Sequence, residues 1–245
     1  MQSRSFRRGA RTIGLVLATA VVIAIPVSLV AKDILGTEKK LYSQLDEELV
    51  IRDFFQDRRD GYFLDIGCAD PESGSTTYYL EKHLGWSGIA IDARNELRPL
   101  WKKKRPKSTF VTYLITDHSD TTDPFYVIKG AEGLSSTEKE RQFYGKTYEG
   151  EERKVLSITL NDLLTKYKVT TVDFVNLDIE GAELLALAGF DINRYKPELL
   201  CVEASPHHRD KIVSWFADHG YEQIDKYLEY DKVNLYFRQK GSGSR

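Results

Sequence analysis

From residue 62 onwards, short apolar runs alternate with helix-like segments, and this alternation constrains the fold more than any other feature. The apolar runs are residues 62–66, 88–91, 110–115, 172–177 and 199–202. Helical patterns lie between or after them at 76–84, 96–104, 160–167, 182–188 and 209–219. Parallel strands need long crossovers, and helices that pack back on the sheet provide them. The pattern therefore predicts an α/β fold, a mostly parallel sheet with helices on both faces. The last segment reads as two strands, at 221–224 and 233–237, that can form a terminal antiparallel pair. Residues 118–154 interrupt the alternation with a polar stretch rich in aromatics, read as a lid or binding loop or as a surface excursion with a hairpin at 125–129.

The predicted organisation has five parts: a basic segment (1–12), a transmembrane helix (13–31), a linker and amphipathic helix (32–60), an α/β domain (61–240) and a flexible tail (241–245). Residues 13–31, "IGLVLATAVVIAIPVSLVA", contain no charge. As a helix this run spans ~28 Å, close to the hydrocarbon thickness of a bilayer. It predicts a single-pass membrane protein, with a cleaved secretory signal as the rival reading. Arg4, Arg7, Arg8 and Arg11 precede the run, and Lys32, Lys39 and Lys40 follow it, an excess that leans towards a cytoplasmic N-terminus. In residues 32–60, Leu41, Leu45, Leu49 and Phe54 show helical spacing.

The net charge of −2 gives no footprint for a nucleic-acid partner. Two cysteines, Cys68 and Cys201, are too few for a disulfide framework. No asparagine begins a glycosylation motif.

Ligands of open α/β sheets bind outside the carboxyl ends of the strands. After "YFLDIG", Gly67 permits a sharp turn and a close approach of ligand to backbone. A dinucleotide loop would continue with further glycines, whereas this one reads G-C-A-D-P. That is a poor pyrophosphate cradle. S-adenosylmethionine (SAM) has no phosphate, and its ribose needs a carboxylate at the end of the second strand. Asp92 stands there, 25 residues after Gly67, and Asp65 can act on the methionine amino group through turn backbone or water. Cys68 reads as a small buried residue.

A second acidic strand end is "VDFVNLDIEGAELLALAGFD". In an extended segment, Asp178 and Glu180 would face the same way and line the cleft. The combination of "FLDIGCADPESGSTTYYLEKHLGWSGIAIDA", "FVTYLITD", "VLSITLNDLL", "VDFVNLDIEGAE" and "LLCVEAS" resembles the FkbM family of SAM-dependent methyltransferases over roughly residues 50–237. The resemblance implies a Rossmann-like methyltransferase fold and O-methylation of hydroxyls on small molecules or sugars. It implies cofactor positions at Asp65, Gly67, Asp92, Ala93, Thr116 and Asp117, and a substrate side formed by Asp178, Glu180 and Glu203. In this chain Asn176 stands where many relatives carry lysine.

Methyl transfer to a hydroxyl is an in-line displacement that needs alignment, exclusion of water and a base for the departing proton. Asp178, Glu180, Glu203 and His207 are the candidates. His207 and His208 read as a polar helix start after Pro206, and His83 as a cation at a helix end. The three acids would also suit Mg²⁺, but no metal is assigned, and no His/Cys cluster has zinc spacing. Tyr126, Phe143, Tyr144 and Tyr148 in the insertion read either as aromatics that close over a small-molecule or glycan acceptor or as core-filling residues. The rival reading is a methyltransferase-like, membrane-anchored binding or trafficking module without catalysis. A nicotinamide-dependent oxidoreductase is disfavoured by the glycine pattern.

Overall fold

The computed structural model of the chain describes residues 32–143 and 145–242. The predicted transmembrane helix and basic segment lie outside the described residues, as do the end of the tail, Tyr144 and the side chain of Phe143. Among the described residues, no helix is long and apolar enough to cross a membrane.

A seven-stranded sheet forms the centre. Its strands are β1 (Tyr62–Ile66), β2 (Ser87–Asp92), β3 (Ser108–Thr112), β9 (Phe174–Leu177), β10 (Leu199–Glu203), β11 (Tyr221–Gln223) and β12 (Asn234–Gln239), and the spatial order is β11-β12-β10-β9-β1-β2-β3. The five strands from β10 to β3 pair in parallel, whereas β12 runs antiparallel to β10 and to β11. The sheet is thus Rossmann-like, with the expected antiparallel pair at one edge. Order reverses beside β1, so the tips of β1, β2 and β9 form the crevice where such sheets bind ligands.

Alternation within the strands builds two cores. Leu64, Ile66, Val175, Leu177, Leu200 and Val202 pack against α4 (Leu160–Lys166), α5 (Glu183–Ala188) and α7 (Arg209–Asp218). Phe63, Phe174, Leu199 and Cys201 face α1 (Glu47–Phe55) and α2 (Tyr78–Leu84), with Trp86 fully buried between them. Helix α3 (Arg98–Lys104) covers β3 through Trp101, and the short α6 (Ile192–Tyr195) leads into β10.

Several expectations need correction. Residues 110–115 do not form one strand. The chain leaves the sheet at Tyr113, and β4 (Leu114–Ile115) joins a second sheet of order β4-β8-β5. In that sheet β5 (Thr122–Val127) pairs antiparallel with β8 (Glu151–Ile158), so residues 125–129 are not a hairpin. The hairpin is β6 (Glu140–Phe143) with β7 (Lys146–Glu149), and the insertion carries β5, this hairpin and the start of β8. Residues 32–46 are not a free linker, because Ile34 and Leu35 are buried against α1. The helix begins only at Glu47, which leaves Leu41 61% exposed. The Glu48 carboxylate instead accepts the backbone N–H groups of Leu41 and Tyr42 and folds the chain back.

Candidate active site

At the tip of β1 the chain turns through Gly67, whose φ is +86°. A Cβ at this position would lie 1.6 Å from the Asp178 carbonyl oxygen, so only glycine fits. The N–H groups of Gly67 and Cys68 both donate to the Ile91 carbonyl, at 2.9 and 3.1 Å, and that of Ala69 donates to Asp92 Oδ2 at 3.1 Å. All three turn amides are therefore used within the protein. The turn offers no ring of free N–H groups of the kind that binds a pyrophosphate.

Side chains shape this loop in place of the missing glycines. Ala69 itself adopts φ +43°, and its carbonyl accepts the Trp101 indole N–H at 2.9 Å. Asp70 Oδ1 accepts the N–H groups of Glu72 and Ser73. Arg105, 1% exposed, donates to the Pro71 carbonyl, Ser75 Oγ and Thr77 Oγ1, and its Nε pairs with Glu81 at 2.8 Å. Thr77 Oγ1 in turn donates to Asp65 Oδ2 at 2.6 Å, and Asn176 Nδ2 donates to Asp65 Oδ1 at 3.0 Å. Asp65 is thus the end of a buried polar chain, and burial pushes its carboxyl above the usual range. None of Trp101, Arg105 and Asn176 stands out in the sequence as a loop-shaping residue.

Asp92 closes β2, with both carboxylate oxygens engaged by Arg94 at 2.8–2.9 Å. The β1 and β2 tips open into a cavity of about 610 Å³, in the size range of small-molecule sites. Asp65, Gly67, Asp92 and Ala93 all line it. Thr116 and Asp117 do not: Thr116 Oγ1 is turned to the His118 carbonyl, and Asp117 pairs with His118 at 2.7 Å. Leu114, Ile115 and Phe125 line the cavity there instead. An apolar slot, a carboxylate at the β2 tip and a turn without free amides suit an adenosine that carries no phosphate. The residues present therefore fit SAM better than a dinucleotide.

Asp178, Glu180 and Glu203 meet in the same cavity, and one carboxylate oxygen of each lies within 4.8 Å of those of the other two. Strand alternation is not the reason. Glu180 adopts φ +56° and Gly181 φ +103°, so a left-handed turn brings Glu180 round to Asp178. Glu183 Oε1 fixes that turn by accepting the N–H groups of Ile179 and Gly181. Burial and the neighbouring Glu203 push Asp178 well above the ordinary carboxyl range. The same two causes raise Glu180 from 4.5 to about 7. Arg141 opposes that rise: it donates to the Glu180 carboxylate at 2.5 Å and to its carbonyl at 2.8 Å. Arg141 sits on β6, so the insertion is tied to the acidic turn. Among the insertion aromatics whose side chains are described, Tyr148 lines the cavity and Tyr126 does not. His207 and His208 lie outside it at the start of α7, and His83 bonds Tyr42 at the end of α2.

Fold and cavity together are those of a Rossmann-like sheet with a small-molecule site at its strand tips. The model of the methyltransferase FkbM domain matches residues 65–230, and the chain belongs to that family. SAM is the cofactor of this family's chemistry, as the sequence implied. No curated protein matches the sequence. Similar solved structures include a TehB-like SAM-dependent methyltransferase from Corynebacterium glutamicum (TM-score 0.44, 14% identity, 84% of this chain and 92% of that one). Another is precorrin-6y C5,15-methyltransferase from Geobacter metallireducens (TM-score 0.45, 14% identity, 82% and 92%). A third is 1,6-didemethyltoxoflavin-N1-methyltransferase from Burkholderia thailandensis, solved with 1,6-didemethyltoxoflavin and S-adenosylhomocysteine (TM-score 0.40, 11% identity, 79% and 76%).

Proposed function

We propose that the protein transfers the methyl group of SAM to a hydroxyl of a small molecule or sugar. The observation that carries this reading is the convergence of three carboxylates, Asp178 and Glu180 with raised affinity for protons, beside Glu203 in the same cavity as the β2 carboxylate. Bound SAM would supply an electrophilic methyl carbon. Asp92 would accept the ribose hydroxyls, and Gly67 would let the ligand lie against the β1 tip. Asp65 would hold the turn through Thr77 and Asn176 and support the methionine end indirectly. An acceptor hydroxyl loses its proton as it is methylated. A base that titrates near neutral pH takes that proton most effectively, and Glu180, at about 7, has that property. Asp178 and Glu203 would orient the hydroxyl and stabilise the proton once transferred. We further propose that the uncharged run at 13–31 holds the chain at a membrane, which resistance to alkaline extraction would test.

Calorimetric titration of SAM into the purified full-length chain, with NAD as control, tests the cofactor assignment. SAM is expected to bind with micromolar affinity, NAD is not, and Asp92→Ala is expected to remove SAM binding while the circular dichroism stays native. Unchanged affinity in Asp92→Ala would sink the role of that carboxylate. No SAM binding by the folded wild type and its variants would favour the non-catalytic module.

A further inference from the structure

The Asp92 carboxylate has no acceptor position left for a ribose. Oδ1 accepts the Arg94 backbone N–H and Arg94 Nε, each at 2.9 Å, and Oδ2 accepts the Ala69 N–H at 3.1 Å and Arg94 Nη2 at 2.8 Å. A carboxylate offers about four lone-pair sites, so these four bonds saturate it. Two of the four donors are backbone amides and are fixed by the turn. The other two belong to a side chain that can swing away. The guanidinium and a vicinal diol present the same pattern, two parallel donors that grip both oxygens. They compete for the same acceptor face. The remaining arm of Arg94, Nη1, donates to the Glu132 carbonyl at 3.2 Å. Glu132 belongs to the insertion, and residues 131–135 line the same cavity.

We propose that Arg94 is a displaceable latch: its guanidinium occupies the ribose-accepting face of Asp92 and pins the insertion until a ligand diol takes its place. The inference rests on the reading of Asp92 as the ribose acceptor. It assigns Arg94 a role opposite to that of an ordinary cation at a binding site, since removing it improves binding. The pair is largely out of water, Arg94 being 9% and Asp92 6% exposed. It is therefore little weakened by salt. The latch opens when a ligand supplies replacement hydrogen bonds, and leaving Asp92 unpaired in a dry site is costly. Departure of the guanidinium also releases the Glu132 carbonyl, so occupancy of the ribose site and mobility of residues 131–135 change together.

The test is calorimetric titration of S-adenosylhomocysteine into the full-length wild type, Arg94→Ala and Arg94→Lys. A latch closed nine-tenths of the time lowers apparent affinity ~10-fold, so Arg94→Ala is expected to bind about tenfold more tightly. Arg94→Lys keeps the charge but loses the two-pronged grip, and it too is expected to bind more tightly than wild type. It decides the matter if the alanine variant does not fold. Hydrogen exchange at amides 131–135 is expected to be faster in the unliganded variants than in the unliganded wild type. Equal or weaker binding by a folded variant, with the wild type binding, overturns the latch and leaves Asp92 as the ribose acceptor. Binding by neither overturns both. Binding by the variants alone supports the latch in its strongest form.

Discussion

The two ends of the cavity solve opposite electrostatic problems. At the β1–β2 end each charge has a close partner: Arg105 with Glu81, Arg94 with Asp92, and Asp65 with Thr77 and Asn176. At the β9–β10 end three carboxylates crowd together against one guanidinium, that of Arg141. Paired buried groups give a rigid frame, and unpaired like charges give proton affinity. The frame end is thus built to hold a shape, and the acidic end is built to handle a proton. The difference also explains how a loop poor in glycine keeps its turn: the buried Arg105 and Trp101 hold from outside what glycines would permit from within.

The comparison breaks most completely at Gly67, where the two ends touch. Gly67→Ala is expected to cost more than about 4 kcal/mol, a size reserved for severe steric or backbone conflict, and urea denaturation would measure it. A stable Gly67→Ala protein with native binding would show that the two turns are not in contact as described. Arg105→Met attacks the frame end alone. Removing one partner of a buried pair costs about 3–5 kcal/mol, and here Glu81 would be left behind. Faster hydrogen exchange in residues 67–77, with the pH response of the acidic end unaltered, is the expected signature.

Glu180→Gln sharpens the comparison from the acidic side, with the smallest effect on stability. Because the folded protein holds Glu180 at about 7 rather than 4.5, the fold favours its protonated form. The corresponding stability is complete below the lower value and is lost as pH rises through the higher one. The permanently neutral glutamine does not lose it. Glu180→Gln should therefore gain on the wild type by about 1 kcal/mol between pH 5 and pH 8, a figure kept below the full linkage value because water reaches the group. Thermal melts across that range measure the gain. Once an acceptor is known, methyl transfer in the wild type should rise through about pH 7, and the variant should lack that limb and run ~100-fold slower. A parallel pH dependence of stability in the two proteins would remove Glu180 from the list of titrating groups.

What was legible in the sequence was whatever repeats or sits at a strand end. The apolar runs placed the five parallel strands, because burial on both faces leaves a continuous apolar signature. Asp92, Asp178, Glu180 and Glu203 were found because sheet topology sends strand ends to one crevice. Three kinds of feature were not legible. Tyr113 ends a strand inside an apolar run, and the departure of β4 to a second sheet has no local signal. The stretch "TLND" carries part of the family resemblance, yet its local role is structural: Thr159 Oγ1 caps α4 by accepting the Asp162 N–H. Arg94, Arg105 and Arg141 were missed because a single arginine carries no pattern. Arg105 and Arg141 find partners 24 and 39 residues away. Only Arg94 left a trace, two residues from the acid it grips.

The contact between Gly67 and the Asp178 carbonyl also bears on how this enzyme could diversify. The cofactor turn and the acidic turn share one clearance, so neither can change length or gain a side chain at the contact without displacing the other. A new acceptor cannot be accommodated by loosening that junction. Room for variation lies on the other wall, where the β6–β7 hairpin meets the site through Arg141, and that hairpin can be lengthened or exchanged while the shared turn stays intact.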